Sequence, residues 1–251
     1  IELIVFDDGS KDNSANLIEA LSKKHHFFFQ RQKNIGLTAT SNNAIKLCKG
    51  KYVAFLGSDD LFFEDKIEKQ VEFMEGREDI AGCGGNIVNI DATGKLLEKQ
   101  KRKPYREINF QTMFTDRKIG PPAPTAMIRL DVLREIGGYD PDIKLEDLYL
   151  WLKITHYGYK LAVLADDLVY YRKHDSNAHK DLIFMSDSII EIYEQYHEEV
   201  GYPYAYNKVL ISMFLKLSKR DKTYALGLLK KISLRFYNLK VLRGVFALIK
   251  P

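Results

Sequence analysis

Two short apolar runs in this chain each end in a pair of aspartates, and this feature constrains the fold most. Residues 1–6 lead into Asp7 and Asp8, and residues 52–56 lead, after a Gly-Ser step, into Asp59 and Asp60. A short apolar run that stops at turn residues is typical of a buried parallel strand. Helical spacing follows both runs, so the pattern predicts a doubly wound α/β sheet. Ligands bind such sheets at the carboxyl ends of the strands, where both acid pairs are expected.

Composition narrows the class of protein further. The 251 residues are 45% apolar, 29% charged and 12% aromatic, which excludes a disordered chain, a collagen-like repeat and a disulfide scaffold. Cys48 and Cys83 show no metal-ligand spacing and favour a reducing compartment, so we expect the protein in the cytoplasm. No apolar run approaches the roughly 18 residues that a membrane-spanning helix requires.

Charge is distributed unevenly along the chain. Residues 201–251 contain eleven Lys and Arg against one acid, Asp221, although the whole chain carries a net charge of only +4. The first 200 residues are therefore acidic. We predict two parts, a catalytic α/β domain over residues 1–180 and a basic helical extension over residues 181–251.

Periodicity predicts the elements between these landmarks. Ile67, Val71 and Met74 stripe one face of a helix, and a hairpin is expected over residues 80–98. Strands are predicted at residues 26–30, 125–130 and 161–174, and helices at residues 38–48, 131–136 and 146–157. Beyond residue 181 the pattern is helical throughout.

A third acidic pair, Glu146 and Asp147, opens a predicted helix. Carboxylates at a helix start are favoured by the dipole, and an ionised carboxylate facing a cleft is a candidate general base. Paired carboxylates such as Asp59 and Asp60 repel one another unless a cation lies between them, which suggests a hard divalent metal. Helix capping and solvated turns are the alternative explanation for each pair. His174, at the end of the last predicted strand, is a further titratable candidate.

The order of several motifs resembles glycosyltransferase family 2, which has the GT-A fold. The motifs are FDDGSKDNS, NIGLTATSN, LGSDD, GGYD, LEDLYLWL and YYRKHDSN, and they cover residues 1–176. The resemblance implies a nucleotide-sugar-binding, Rossmann-like mixed sheet flanked by helices. It also implies a strand and helix before the first motif, so we expect the numbered chain to lack that unit.

The resemblance assigns roles to individual residues. Donor-binding roles fall on Asp7, Asp8, Asn34, Gly36 and Asp59. Metal-binding roles fall on Asp59, Asp60 and His174, with Mn or Mg as the cofactor. Asp147 matches the catalytic base, Glu146 lies beside it and Trp151 supports their helix.

Two positions depart from the family pattern. Gly57 stands where the family often has the first acid of its metal site, so the ribose contact is expected either to be lost or to be taken over by Asp59. Ser41 stands where the family often has an arginine. Arg31, Lys33 or Arg172 could supply the contact that this arginine makes.

The resemblance implies a metal-dependent, inverting transfer of a sugar from a nucleotide donor, with UDP favoured over TDP and GDP. The acceptor would be a saccharide, free or lipid-linked, in surface polysaccharide or lipopolysaccharide synthesis. The main alternative is a non-catalytic nucleotide-sugar-binding or scaffolding protein on the same fold. A phosphotransferase of the haloacid dehalogenase type is disfavoured, because FDDGSKD lacks the D-x-D-x-[TV] pattern of that class.

Residues 201–251 allow two interpretations. Mixed basic and apolar residues at helical spacing suit an anionic membrane surface, which would place the protein peripherally on the inner face of the plasma membrane. A helical bundle with a solvated basic face suits the same pattern. No nucleic-acid-binding module is recognised, so no nucleic-acid partner is expected.

Overall fold

The computed structural model describes residues 1–97, 102–117, 120–173 and 181–249. It divides into two compact units. The first comprises Ile1–Asn109 and Gly120–Arg172, and the second comprises Phe110–Ile119 and Lys173–Pro251.

The described strands are β1 (Ile4–Asp7), β2 (Phe28–Arg31), β3 (Tyr52–Ala54), β4 (Leu61–Phe62), β5 (Ile80–Ile90), β6 (Arg106–Ile108), β7 (Met127–Arg129) and β8 (Lys160–Arg172). The described helices are α1 (Ser14–His25), α2 (Leu37–Leu47), α3 (Lys66–Met74), α4 (Phe110–Phe114), α5 (Leu130–Glu135), α6 (Glu146–His156), α7 (Leu182–Glu194), α8 (Tyr202–Leu217), α9 (Lys222–Lys231) and α10 (Leu239–Ile249). Strands and helices alternate from β1 to β3, as the sequence predicts, and less regularly beyond it.

The strands form two sheets. β1 and β2 pair in parallel, with Asp7 opposite Arg31 at their carboxyl ends. The larger sheet has the order β3-β7-β5-β8-β4, and β6 pairs with β8. The expected mixed sheet flanked by helices is therefore confirmed. β1 is a parallel strand, as predicted. Among the described strands of the larger sheet, the β5–β8 pairing is parallel and the other pairings are antiparallel. Antiparallel partners such as β5 and β7 need no crossover helix between them.

The predicted hairpin over residues 80–98 is present only as a turn. β5 is one long strand, and a single bridge joins Ile90 to Leu96. The Asp91 side chain accepts hydrogen bonds from the backbone N–H of Thr93 and Lys95, which fixes the turn. The strand extends because β8 pairs along almost all of it.

Helix α3 is rotated relative to its predicted apolar stripe. Its buried residues are Lys66, Gln70 and Met74, while Ile67 and Val71 are only half-buried. Gln70 donates from Nε2 to the carbonyl oxygens of Cys83 and Thr125, whereas its Oε1 has no hydrogen-bond partner among the described residues. The helix therefore packs Gln70 and Met74 against the sheet, while Ile67 and Val71 lie against the same core from its edge.

The second unit is helical, as predicted for residues beyond 181. Val209, Leu210 and Phe214 of α8 are buried in its core, and Val241 of α10 is buried with them. No helix in the part of the chain that the structure describes is long and apolar enough to cross a membrane.

Candidate active site

Asp7 ends strand β1 with its side chain almost entirely buried, at 3% exposure. Its Oδ1 accepts a hydrogen bond of 2.7 Å from the Ser10 backbone N–H, and Oδ2 lies 3.8 Å from Arg31 Nε. The hydrogen bond from Ser10, with Arg31 nearby, lowers the pKa of Asp7. Oδ2 has no hydrogen-bond partner among the described residues. A buried, ionised carboxylate with one unsatisfied oxygen is suited to accept hydrogen bonds from a ligand.

The neighbouring Asp8 is used differently. Its Oδ1 accepts from Gln32 Nε2 at 2.8 Å and from the Ile35 backbone N–H at 2.9 Å, and its Oδ2 accepts from the Gly36 N–H at 2.9 Å. Burial acts to raise the pKa of Asp8, but these hydrogen bonds outweigh it and lower the pKa. Asp8 therefore holds the Asn34–Gly36 turn in place.

This turn depends on two glycines. Gly36 has φ of +88°, a left-handed conformation that side chains disfavour. Gly9 also has φ of +88°, and a Cβ there would lie 2.9 Å from the backbone nitrogen of Asn34. The two turns are thus packed directly against each other.

An open depression of about 520 Å³ adjoins this turn, lined by Gly9, Arg31, Gln32, Lys33 and Asn34. Lys33 and Asn34 are exposed. Arg31 donates from Nη2 to the Ser10 carbonyl, at 3.2 Å, and also faces Asp7. Two cations at the rim of a depression suit an anionic ligand such as a phosphate.

The second acid pair lies on a loop that Arg172 holds. Asp60 is 6% exposed, and its Oδ1 accepts from the Arg172 backbone N–H at 2.8 Å. The Arg172 guanidinium donates from Nε to the Asp59 carbonyl and from Nη1 to the carbonyls of Asp91 and Ala92. Arg172 thereby joins this loop to the β5 turn, and its guanidinium is largely committed there. Of the three substitutes considered for the missing family arginine, Arg31 and Lys33 line the depression, and the choice among the three stays a prediction.

Gly57 shows how the loop accommodates its departure from the family pattern. A Cβ at this glycine would lie 2.8 Å from Oδ1 of Asp59. The Asp59 carboxylate thus occupies the space where a side chain at position 57 would begin. This geometry is compatible with Asp59 taking over a contact that position 57 makes in relatives.

The donor set around this loop fits a cation that shares its coordination with a substrate. No group of three His, Cys, Asp or Glu side chains that could hold a metal occurs among the described residues. Mg²⁺ is usually bound by one or two protein carboxylates together with phosphate oxygens, and Asp59 and Asp60 meet that requirement. His174, the third predicted ligand, lies outside the described residues.

Glu146 and Asp147 are the first two residues of α6, as predicted. Burial raises the pKa of both carboxyls, and for Glu146 the charge of Asp147 adds to the effect. The Leu148 backbone N–H donates to Asp147 Oδ1 at 2.6 Å. A carboxylate whose pKa rises towards neutrality is a better proton acceptor, so this pair can act as a general base.

The helix that carries this pair is anchored by Trp151. The indole is 4% exposed, and a Cβ at Gly120 would approach its ring to 2.5 Å. Such a close approach leaves the ring no room to shift, and any side chain at Gly120 would displace it. Trp151 thus fixes the middle of α6 against the segment at Gly120, and its support of the acid pair stays a prediction.

Asn42 and Tyr139, to which the sequence assigned no role, join α2 to the GGYD segment that precedes the pair. Asn42 of α2 donates from Nδ2 to the Tyr139 carbonyl at 2.8 Å and accepts from the Tyr139 backbone N–H at 2.9 Å. Burial raises the pKa of the Tyr139 phenol, and the charges of Glu146 and Asp147 raise it further, so the phenol lies within reach of their field. The aromatic residue of the GGYD motif was the available signal for Tyr139.

Relatives of this chain are glycosyltransferases. The sequence model named Glycosyl transferase family 2 matches residues 1–137. The uncharacterized glycosyltransferase MJ1057 of Methanocaldococcus jannaschii is 25% identical over 172 residues, which is 68% of this chain and 59% of that protein. The chain spans a quarter or less of three Rickettsia glycosyltransferases that it matches at 34% identity. The Escherichia coli protein named UDP-Glc:alpha-D-GlcNAc-diphosphoundecaprenol beta-1,3-glucosyltransferase WfaP is 28% identical over 88% of this chain and 87% of its own length.

Solved structures share the fold. TarS (1–349) of Staphylococcus aureus in complex with UDP-GlcNAc aligns with a TM-score of 0.62 and 16% identity, over 98% of this chain and 70% of that chain. The mannosyltransferase PcManGT of Pyrobaculum calidifontis, solved with GDP-Man and Mn²⁺, aligns with a TM-score of 0.58 and 12% identity, over 98% and 75%. The fold is therefore the GT-A fold of nucleotide-sugar enzymes. Since the family match covers more than half of its residues, the chain belongs to glycosyltransferase family 2.

Proposed function

We propose that this protein transfers a sugar, with inversion, from a UDP-sugar to a hydroxyl of a saccharide or lipid-linked saccharide in surface polysaccharide synthesis. The observation that carries the proposal is the buried carboxyl pair at the start of α6, where burial raises the pKa of Asp147. The UDP donor and the lipid-linked acceptor in the name of WfaP support this choice of substrates.

The proposed reaction uses the carboxylate as a base. Asp147 accepts the proton of the acceptor hydroxyl while that oxygen forms a bond to the anomeric carbon. The bond from this carbon to the diphosphate breaks on the opposite face, and its electron pair leaves with the nucleotide. Glu146 lies beside the base, and the charge of Asp147 adds to burial in raising the pKa of Glu146.

On the donor side, Asp7 offers an unsatisfied oxygen to the nucleoside, and Asp8 holds the Asn34–Gly36 turn beside it. Arg31 and Lys33 line the adjoining depression. Asp59, together with Asp60 and His174, would hold a Mn²⁺ or Mg²⁺ ion, whose charge would stabilise the leaving diphosphate. The Mn²⁺ in the PcManGT structure supports this cofactor.

The first experiment compares the thermal stability of the protein with UDP, TDP and GDP, each with and without Mn²⁺. A ligand that binds only the native state stabilises it by about 2.7 kcal/mol at a hundredfold excess over its dissociation constant. We expect a Mn²⁺-dependent increase in Tm with UDP. An increase that is equal for all three nucleotides would contradict the UDP assignment.

The second experiment tests the base with Asp147→Asn. The amide keeps the size of the side chain but cannot accept the proton, so we expect UDP-glucose binding to persist and transfer to a GlcNAc-diphospholipid to be lost. Asp142→Asn, at an exposed position in the preceding loop, is the matched control and should transfer normally. Binding without transfer by the unaltered protein would favour the non-catalytic alternative.

A further inference from the structure

Helix α10 presents an uncovered apolar face. Leu239, Leu242, Phe246 and Ile249 are 78%, 51%, 68% and 74% exposed. Their spacing of three, four and three residues places all four on one side of the helix. Exposed apolar residues are ordinary when scattered, but a contiguous stripe on one helix indicates a binding surface.

The opposite side of α10 fixes the direction of this stripe. Val241 is fully buried, and a Cβ at Gly244 would collide with the ring of Phe214 in α8. The helix is therefore packed as closely as two backbones and a phenyl ring permit. It cannot roll to bury its apolar residues without losing this contact.

The charge around the stripe has a single sign. Lys240 and Arg243 lie on the exposed part of α10, and Lys230, Lys231 and Arg235 are exposed just before it. No acidic residue follows Asp221 in the chain. An apolar helix face bordered by cations matches a bilayer surface that carries anionic head groups.

We propose that the apolar face of α10, formed by Leu239, Leu242, Phe246 and Ile249, docks on an anionic lipid bilayer, with Lys240 and Arg243 against the head groups. The proposal rests on the proposed function, because a lipid-linked acceptor is held in a membrane. It assigns the contact to one face of one helix rather than to residues 201–251 as a whole.

A second copy of this chain suits the face less well. The stripe has coiled-coil spacing, but α10 is only 11 residues long, whereas three or more heptads are needed for a sustained seam. Pairing would also bring the cationic flanks of two identical helices together. Docking on a bilayer has neither of these requirements: a short helix is sufficient, and its cations face anionic head groups instead of the cations of a second copy.

The test is co-sedimentation of the full chain with vesicles of POPC, and with vesicles of POPC containing 30% POPG. We expect binding to the anionic vesicles that weakens in 0.5 M NaCl. Leu242→Ser with Phe246→Ser should weaken it by at least about tenfold, because the apolar side chains no longer enter the bilayer. Lys240→Gln with Arg243→Gln should weaken binding by roughly thirtyfold, about fivefold for each basic residue at an anionic surface.

Two control pairs lie in the first unit. Leu17→Ser with Leu21→Ser removes exposed leucines at the same four-residue spacing, and Lys11→Gln with Lys24→Gln removes two exposed cations. Both should bind vesicles like the unaltered protein. All altered side chains are exposed, and unchanged melting curves would establish that every variant folds.

Several results would overturn the proposal. One is equal vesicle binding by the Leu242→Ser, Phe246→Ser variant and its leucine control. Another is a lipid-free dimer that this variant dissociates. Transfer to a water-soluble saccharide acceptor should be the same in all variants, so loss of vesicle binding and loss of activity are read separately.

Discussion

At the scale of single residues, the candidate base is governed by two opposing effects. Its position in the first turn of α6 favours the ionised form of Asp147, whereas burial favours the neutral form and prevails. The general base acts only when it is ionised. Because its pKa is raised above the usual 3.8, we expect kcat/KM to fall on acidification at a higher pH than an ordinary aspartate would give. A pH–rate profile checks this, and an acid limb at or below pH 3.8 would contradict it.

Lys66 is the clearest conflict between residue type and environment. Its side chain is fully buried, and Nζ has no hydrogen-bond partner among the described residues. The ammonium lies 4.1 Å from the centre of the Phe62 ring, a contact that offsets part of the burial cost. Burial lowers the pKa of Lys66 to about 8, so the folded protein releases this proton before the unfolded chain does.

The lowered pKa of Lys66 makes the free energy of unfolding depend on pH. Between about pH 8 and 10.5 the unfolded chain binds more protons at this site, so the site's contribution to stability rises with pH. We therefore expect Lys66→Met to increase the free energy of unfolding by about 1–3 kcal/mol at pH 7, and by less at pH 10. Urea unfolding at both pH values measures this. Lys69→Met, which alters a lysine paired with Asp65, is the control and should not increase the free energy of unfolding. An increase for Lys66→Met that is equal at both pH values would contradict the assignment to the buried ammonium.

At the scale of elements, α2 links the Asn34–Gly36 turn to the loop that precedes the candidate base. It begins directly after Gly36, and its Asn42 makes both hydrogen bonds to the Tyr139 backbone. A Cβ at Gly138 would lie 2.5 Å from Asn42 Oδ1, so the two segments are in close contact. The Asn42 side-chain amide thus fixes the position of the Tyr139 backbone in the loop that leads into α6.

Asn42→Ala removes both bonds without adding bulk. We expect kcat to fall roughly tenfold or more, because small displacements of a base are costly, while donor binding changes little. Steady-state kinetics and UDP titration separate the two. Asn43→Ala, the next residue of the same helix, is the control, and an equal loss in both variants would show that α2 is merely destabilised.

Sequence patterns identify elements better than they identify the faces those elements bury. The strand ends at Asp7 and the start of α6 at Glu146 follow from apolar runs and acidic pairs, which are local signals. The inward side of α3 could not be read in this way, since Lys66 and Gln70 are buried by tertiary contacts that their residue types argue against. Likewise, nothing local shows that β5 pairs with β8, some 80 residues away in the chain.

In the candidate site, too, local sequence signals identify residues, whereas tertiary contacts decide what each residue does. Motif order brings forward Asp7, Asp8, Asp59, Asp60, Glu146 and Asp147, but the division of labour within each pair depends on hydrogen bonds. Asp8 is occupied by the Asn34–Gly36 turn, whereas Asp7 keeps an unsatisfied oxygen. The role of Asn42 was out of reach because its partner is 97 positions distant.

At the scale of the whole molecule, the two units differ in kind. The first carries the sheet and the acid pairs, and the second carries helices whose last member has an apolar outer face. The charge asymmetry of the sequence predicted such a contrast. It could not indicate which helix, or which side of it, is left uncovered, because that depends on how α10 packs on α8.

That packing has an evolutionary consequence. The apolar face of α10 points outward because Gly244, on the opposite side of the helix, has no side chain and packs closely on Phe214. Even an alanine there would force the helix away from its neighbour, and with it every residue of the outer face. Membrane attachment could therefore be lost in a descendant that retains each surface residue unchanged, through a single inward-facing methyl group.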